Sequence, residues 1–179
     1  MKLSASNDAG VQELLDREAI RDCLFRYCRG IDRCDPDVLR SAYWPGAIDD
    51  HGMWKGPIED FIPFVIPVLL QRGQTSHRIT NAIIRIDGAT AVVESYFDAY
   101  ERVLRKDGTA NDITATGRYL DNFEKRDGEW RIGARKVILD AFRVWTDSAD
   151  WERGLFGQQV DMGIHTKEDL SYGLLGDIT

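Results

Sequence analysis

Three histidines, His51, His77 and His165, carry most of the proton-transfer capacity of this sequence, because imidazole is the side chain whose charge changes near neutral pH. His77 lies in the stretch SHRITNAII, where it alternates with Ile79, Asn81 and Ile83 while Arg78 and Thr80 project to the opposite side. A histidine on such an apolar face is either a hydrogen-bonded core residue or a base facing a pocket, and a partner carboxylate decides between the two. Asp32, in YCRGIDRCD, is the candidate partner. It stands at the C-terminal end of a helical run, where a carboxylate meets the negative end of the helix dipole. It either caps a turn after Gly30 or serves a site. If the two residues meet, Asp32 can fix the imidazole tautomer and balance the charge that His77 acquires on taking a proton.

His51 shares a strand face with Asp49 in DDHG, a pair that could ligate a metal. Two ligands do not complete a site, so the segment reads as a solvated loop and no metal is expected. His165 has no evident partner. Tyr27, Trp44, Trp54, Tyr96, Tyr100 and Tyr119 supply core and pocket-wall material, and an inward phenol can donate to a ligand. Asn81 shares the face of His77 and joins Tyr27, Trp44, Trp54, Tyr96 and Tyr119 as a candidate substrate contact. Arg135 and Lys136 point to opposite sides of one strand, so one of them at most enters the pocket, and neither is expected to be catalytic. Cys23, Cys28 and Cys34 are spaced too widely for the tight pairs of zinc sites and read as buried thiols.

The elements that must position these residues are legible in the spacing. Ile20, Cys23, Leu24, Tyr27, Cys28 and Ile31 recur at steps of three and four, the repeat of one helix face, with Asn7 or Asp8 as its cap. DPD at 35–37 caps a second helix with Pro36 at its first position. AIDDHG reads as a short strand and turn, and GPIEDFIPFVIPVLLQRG as a helix bent or broken by Pro63 and Pro67. After Gly73 come four long alternating runs, separated by Asp-Gly pairs at 87–88, 107–108 and 127–128, the turn signal of a four-stranded antiparallel meander. Helices followed by such strands give an α+β fold: a curved antiparallel sheet packed on N-terminal helices, a cone enclosing one apolar pocket. One domain spans 1–145, and the aperiodic tail 146–179 is free to cover the pocket or a subunit interface.

A chain of 179 residues, 43% hydrophobic and 30% charged, suits one domain with a sizeable core. Its net charge of -7 argues against nucleic acid or an anionic membrane as partner. The start, MKLSASNDAG, lacks a signal-peptide pattern and no apolar run is long enough to cross a bilayer, so a cytoplasmic protein is expected. Phosphate-binding glycine loops, nucleophile elbows and HExxH are missing, which sets aside nucleotide hydrolysis, Rossmann redox chemistry and serine hydrolysis.

The strings DREAIRDCLFRYCRGIDRCDPDVL, KGPIEDF, SHRITN and GRYLDNFEKRDGEWRIGARKVILD, in that order over residues 14–145, resemble the SnoaL-like branch of the nuclear-transport-factor-2-like superfamily. The helix-end aspartate and strand histidine are similar to the Asp-His pair of its scytalone dehydratase and hexachlorocyclohexane dehydrochlorinase group. That resemblance implies a lyase without metal or organic cofactor, typically a homotrimer, with His77 as base, Asp32 as its orienter and Tyr27 as a pocket group. The substrate would be small, apolar and aromatic or cyclic, and the reaction dehydration, dehydrohalogenation or retro-aldol-type cleavage. The chain departs from the group in its tail and in lacking an obvious second pocket histidine after His77. The fold also hosts polyketide-type cyclases and isomerases, as well as the non-catalytic β subunits of aromatic-ring-hydroxylating dioxygenases.

Overall fold

The computed structural model describes residues 5–150, 154, 156–158, 160–176 and 178. Helix α1 (Ala5–Asp32) starts well before its apolar repeat, so Asn7 and Asp8 lie inside it rather than at its cap. Its repeat buries Ile20, Cys23, Leu24, Tyr27, Cys28 and Ile31 on one face. The short α2 (Pro36–Ser41) is capped by Asp35, whose carboxylate accepts from the backbone N–H groups of Asp37 and Val38. The two helices cross at Gly30, where a Cβ would lie 2.6 Å from backbone atoms of Leu39. Only glycine permits that approach, and it sets the angle at which the chain leaves α1 just after Asp32.

Strand β1 (Tyr43–Asp50) and the short β2 (Lys55–Pro57) lead into α3 (Ile58–Leu70), which runs through Pro63 and Pro67 without a break. Four long strands follow: β3 (Thr75–Asp87), β4 (Thr90–Leu104), β5 (Ala110–Arg126) and β6 (Glu129–Thr146). They form the expected meander inside a six-stranded curved sheet of order β2-β1-β6-β5-β4-β3. Two features differ from the wholly antiparallel cone. Strand β1 pairs parallel with β6, and the sheet stays open, with β2 and β3 as its edges. A parallel pair needs a long crossover, and β2, α3 and strands β3 to β5 supply it between β1 and β6.

The turns refine the Asp-Gly reading. Asp127 and Gly128 form a two-residue turn with positive φ at both positions, 52° and 86°, the geometry whose twist matches the flanking strands. The first hairpin instead turns on Gly88 and Ala89, and the second needs the five residues 105–109. Irregular registers between Ile79 and Ala82 and at Thr116/Gly117 and Asn122/Phe123 bend the strands. Between the helices and the sheet lies one core built on Tyr27, Tyr43, Tyr119, Phe123, Trp130 and Ile132. Burial pushes the Cys23 and Cys28 thiols up to about 12, so both are inert at neutral pH.

Past β6 the chain is tied first to β5, where Ser148 and Ala149 donate to the buried Asp112 carboxylate. Further on it meets the α1–α2 corner, where the short α4 (Leu170–Leu175) sets the Tyr172 hydroxyl 2.7 Å from Asp35 and Arg29 stacks on the Tyr172 ring. No helix among the described residues is long and apolar enough to cross a membrane.

Candidate active site

Asp32 is the last residue of α1, and strand β3 runs past it. Its carboxylate accepts three hydrogen bonds: from the Thr75 hydroxyl at 3.1 Å, from the His77 backbone N–H at 2.7 Å and from His77 Nδ1 at 2.7 Å. Donors fixed on a strand thus offset the unfavourable helix-end position, and charge-assisted bonds of this kind are about twice as strong as neutral ones. The Asp32 carboxylate is thus bound to strand β3 and does not cap the turn that follows α1. With Nδ1–H committed to Asp32, the imidazole presents Nε2, the geometry of an oriented base.

His77 lines a cavity of about 370 Å³ between α3 and the sheet. Its walls are largely apolar, with Trp54, Phe61, Phe64, Phe97 and Leu139, and Tyr27, Tyr119 and His51 face the same space. Trp54 packs on Phe61, and Phe97 stacks on Tyr119 at 4.5 Å. A cavity of that size and lining suits a compound of one or two rings. A wider groove of about 650 Å³ borders the other side of the pair, but Arg26, Arg29, Arg33 and Arg78 line it and it is more open to solvent. The aromatic cavity is the less open and more apolar of the two spaces that His77 borders.

Beneath Tyr27 lies a wholly buried ion pair. Arg135 forks onto Asp121 with bonds of 2.8 and 2.7 Å, and its guanidinium stacks 4.0 Å from the Tyr27 ring and 4.1 Å from the Tyr119 ring. Burial alone would lower the guanidinium; the Asp121 carboxylate overrides it and holds Arg135 well above its usual value. Burial likewise pushes the phenols of Tyr27, Tyr43 and Tyr119 up, so all three remain O–H donors across the neutral range.

Several expectations need correction. Asn81 is exposed and outside the cavity, because the irregularity between Ile79 and Ala82 switches the alternation so that Ala82 and Ile84 continue the inward face. Trp44 lies on the outer surface, donating to the Glu124 carbonyl under the guanidinium groups of Arg126 and Arg131. Tyr96 points outward from β4, and its neighbour Phe97 takes the pocket position. His51 is not a solvated loop residue. Its Nδ1 bonds the fully buried Asp49, Nε2 lies 3.3 Å from the Tyr27 hydroxyl, and its ring stacks on Phe61. The second pocket histidine therefore precedes His77 in the chain. The DxH spacing on an inward strand face was the signal for it, and the missing element was the turn at Gly52 that folds the ring back over the cavity. Among the described residues no cluster of three His, Cys, Asp or Glu side chains could hold a metal.

A SnoaL-like domain model matches residues 12–136, which carry the whole Asp32–His77 site. The chain belongs to the SnoaL-like domain family. Among solved structures, this SnoaL-like chain is similar to a hexachlorocyclohexane dehydrochlorinase (LinA) type 2, at 19% identity and a TM-score of 0.72, over 82% of this chain and 99% of that one. It is also similar to a candidate scytalone dehydratase from Novosphingobium aromaticivorans, at 20% identity and a TM-score of 0.66, over 73% of this chain and 88% of that one. A candidate aromatic ring hydroxylase from the same organism matches at 21% identity and a TM-score of 0.64, over 74% of this chain and 94% of that one. No curated protein sequence matches. At these identities the solved structures establish the fold of the SnoaL-like chain, and its chemistry has to be argued from its own residues.

Proposed function

We propose that this SnoaL-like protein is a lyase that needs no cofactor and acts on a small, largely apolar, aromatic or cyclic substrate. The observation that carries the reading is the Asp32–His77 contact of 2.7 Å at the wall of a largely apolar, aromatic-lined cavity. His77 removes a proton through Nε2, Asp32 keeps the other ring nitrogen protonated and balances the imidazolium, and the pair of electrons released expels a leaving group. Water loss, halide loss and retro-aldol-type cleavage all fit this arrangement. Tyr27, Trp54 and Tyr119 hold the ring of the substrate, two of them through phenols that stay protonated.

Thermal-shift screening with aryl alcohols, phenolic ketones and halogenated rings tests the substrate class, since a ligand bound to the folded state raises its melting temperature. On a compound found this way, His77→Gln should lower turnover by roughly a hundredfold or more while the protein stays folded. Near-normal turnover would remove the mechanism.

The exposed apolar strip on the second half of β6, with Leu139, Phe142, Val144 and Trp145, supports self-association, and the assembly proposed is the homotrimer that the resemblance implies. Light scattering should then give three times the mass of one chain, and a monomer at working concentration would argue against it.

A further inference from the structure

His77 and Asp32 account for the removal of a proton, but nothing in that step accounts for His51. Its ring lines the same cavity as His77, stacked on Phe61 with centroids 4.8 Å apart. Behind it Asp49 has no solvent exposure and accepts from the Tyr43 hydroxyl at 2.5 Å and from His51 Nδ1. In front of it, Nε2 meets the hydroxyl of Tyr27 at 3.3 Å, and Tyr27 also faces the cavity. A phenol, an imidazole and a buried carboxylate thus stand in line, ending at the space where a ligand would sit.

The two Asp-His pairs are not equivalent. Asp32 accepts from Thr75 and from a backbone N–H, donors that hold it whatever the state of the His77 ring. Among the described residues the Asp49 carboxylate is bonded by the neutral Tyr43 hydroxyl and by His51 only. Among the described residues the charges around His51 and its cavity are Asp49 on β1, the Asp121–Arg135 pair on β5 and β6, and the Arg72–Glu101 pair at the cavity wall, the last two each an ion pair in itself; α1 contributes Tyr27, and α3 contributes Phe61. With Nδ1 bonded to Asp49, His51 turns Nε2 to the Tyr27 hydroxyl, so this pair ends on an O–H group that faces the cavity. The pair on β1 is therefore suited to deliver a proton through that phenol, and the pair at the end of α1, which ends on Nε2 of His77, to take one.

We propose that Asp49, His51 and Tyr27 form a second proton relay that faces His77 across one cavity and protonates a departing hydroxyl. This rests on the elimination reading above and narrows its substrate class to alcohols, β-hydroxy carbonyl compounds in particular. His77 Nε2 takes the carbon-bound proton, and the C–H electron pair becomes the new C=C bond. The C–O bond breaks with its electrons on oxygen. Tyr27 gives its O–H proton to that oxygen and receives the Nε2 proton of the His51 imidazolium, so water leaves. His51 ends neutral with Nδ1–H still on Asp49, and the proton held by His77 returns to His51 through solvent before the next cycle. His51 and Tyr27 are catalytic residues in this step, and Asp49 is a positioning residue.

The test separates the leaving group from the proton abstraction. β-Hydroxypropiophenone and β-chloropropiophenone share a skeleton and give the same phenyl vinyl ketone, but chloride departs without protonation. His51→Gln, checked for folding by circular dichroism, should slow the hydroxy compound roughly a hundredfold or more and the chloro compound less than about fivefold. His77→Gln should slow both. Equal losses in the His51 variant on the two compounds, or none on either, would overturn the relay. If the wild-type protein turns over neither ketone, the elimination reading itself fails, and histidine ring NMR with 2-naphthol distinguishes the two failures. The relay requires the naphthol to shift the ring resonances of both His51 and His77; a shift of His77 alone would overturn it.

Discussion

At the level of single residues, the site depends on where one proton sits. Asn at position 32 can keep its oxygen on the His77 backbone N–H only with its NH2 in the place of the oxygen that faces Thr75 and Nδ1, which reverses the tautomer that leaves Nε2 unprotonated. Asp32→Asn should therefore lower kcat by roughly a hundredfold with little change in KM. Steady-state kinetics on any substrate found by the thermal-shift screen reads both, and a loss confined to KM would assign Asp32 to binding instead. The Asp32–His77 pair was legible in the sequence because both residues break local rules: a carboxylate at the wrong end of a helix, an imidazole on an apolar strand face. His51 broke a rule too, as part of a DxH on one face. Only the turn after Asp50, where the His51 N–H donates to the Trp54 carbonyl, shows that its ring folds inward rather than into solvent.

Elements matter here for the angles they impose. Strand β3 brings Thr75 and His77 to Asp32, and α1 must end at that height. The ending is fixed by Gly30, whose Cα packs against the backbone of Leu39. Gly30→Ala would drive a Cβ to 2.6 Å from that backbone, which cannot retreat like a flexible side chain. It should destabilise the protein by about 1–3 kcal/mol in urea unfolding, the usual range for overpacking. An unchanged midpoint would mean that α2 shifts freely and does not anchor Asp32. Periodicity revealed the α1 face and the four long strands, since 3.6 and 2.0 are strong repeats. It failed locally at residues 79–82, where an irregular register moves Asn81 out and Ala82 in, and at Trp44 and Tyr96, whose side of the sheet depends on which face of their strand turns toward α1. Strand type alone does not carry that information.

Over the whole molecule, the helices and meander expected from the sequence are present, while the parallel β1–β6 pairing and the docking of the tail were not legible. Both depend on contacts between residues far apart in the chain. The tail is tied by Asp169, whose carboxylate accepts from Ser171 and from the Ile164 N–H beside Arg33. Burial alone would raise it; those donors and the Arg33 charge override burial and bring it down to about 2, from 3.8. A folded-state value below the unfolded one gives stability that is complete above 3.8 and is lost as the pH falls through about 2. The gap in melting temperature between wild type and Asp169→Asn should accordingly be constant above 3.8 and shrink as the pH approaches about 2. A gap that persists unchanged through that window would show that the Asp169 charge does not hold the tail.

In the proposed mechanism His77 takes a proton from carbon inside the aromatic cavity. Propiophenone isolates that step, because it carries acidic protons beside its carbonyl and no leaving group. Incubated in D2O and followed by 1H NMR, it should exchange those protons faster with wild-type protein than in buffer, and at the buffer rate with His77→Gln. Exchange that survives undiminished in His77→Gln would contradict the role given to His77.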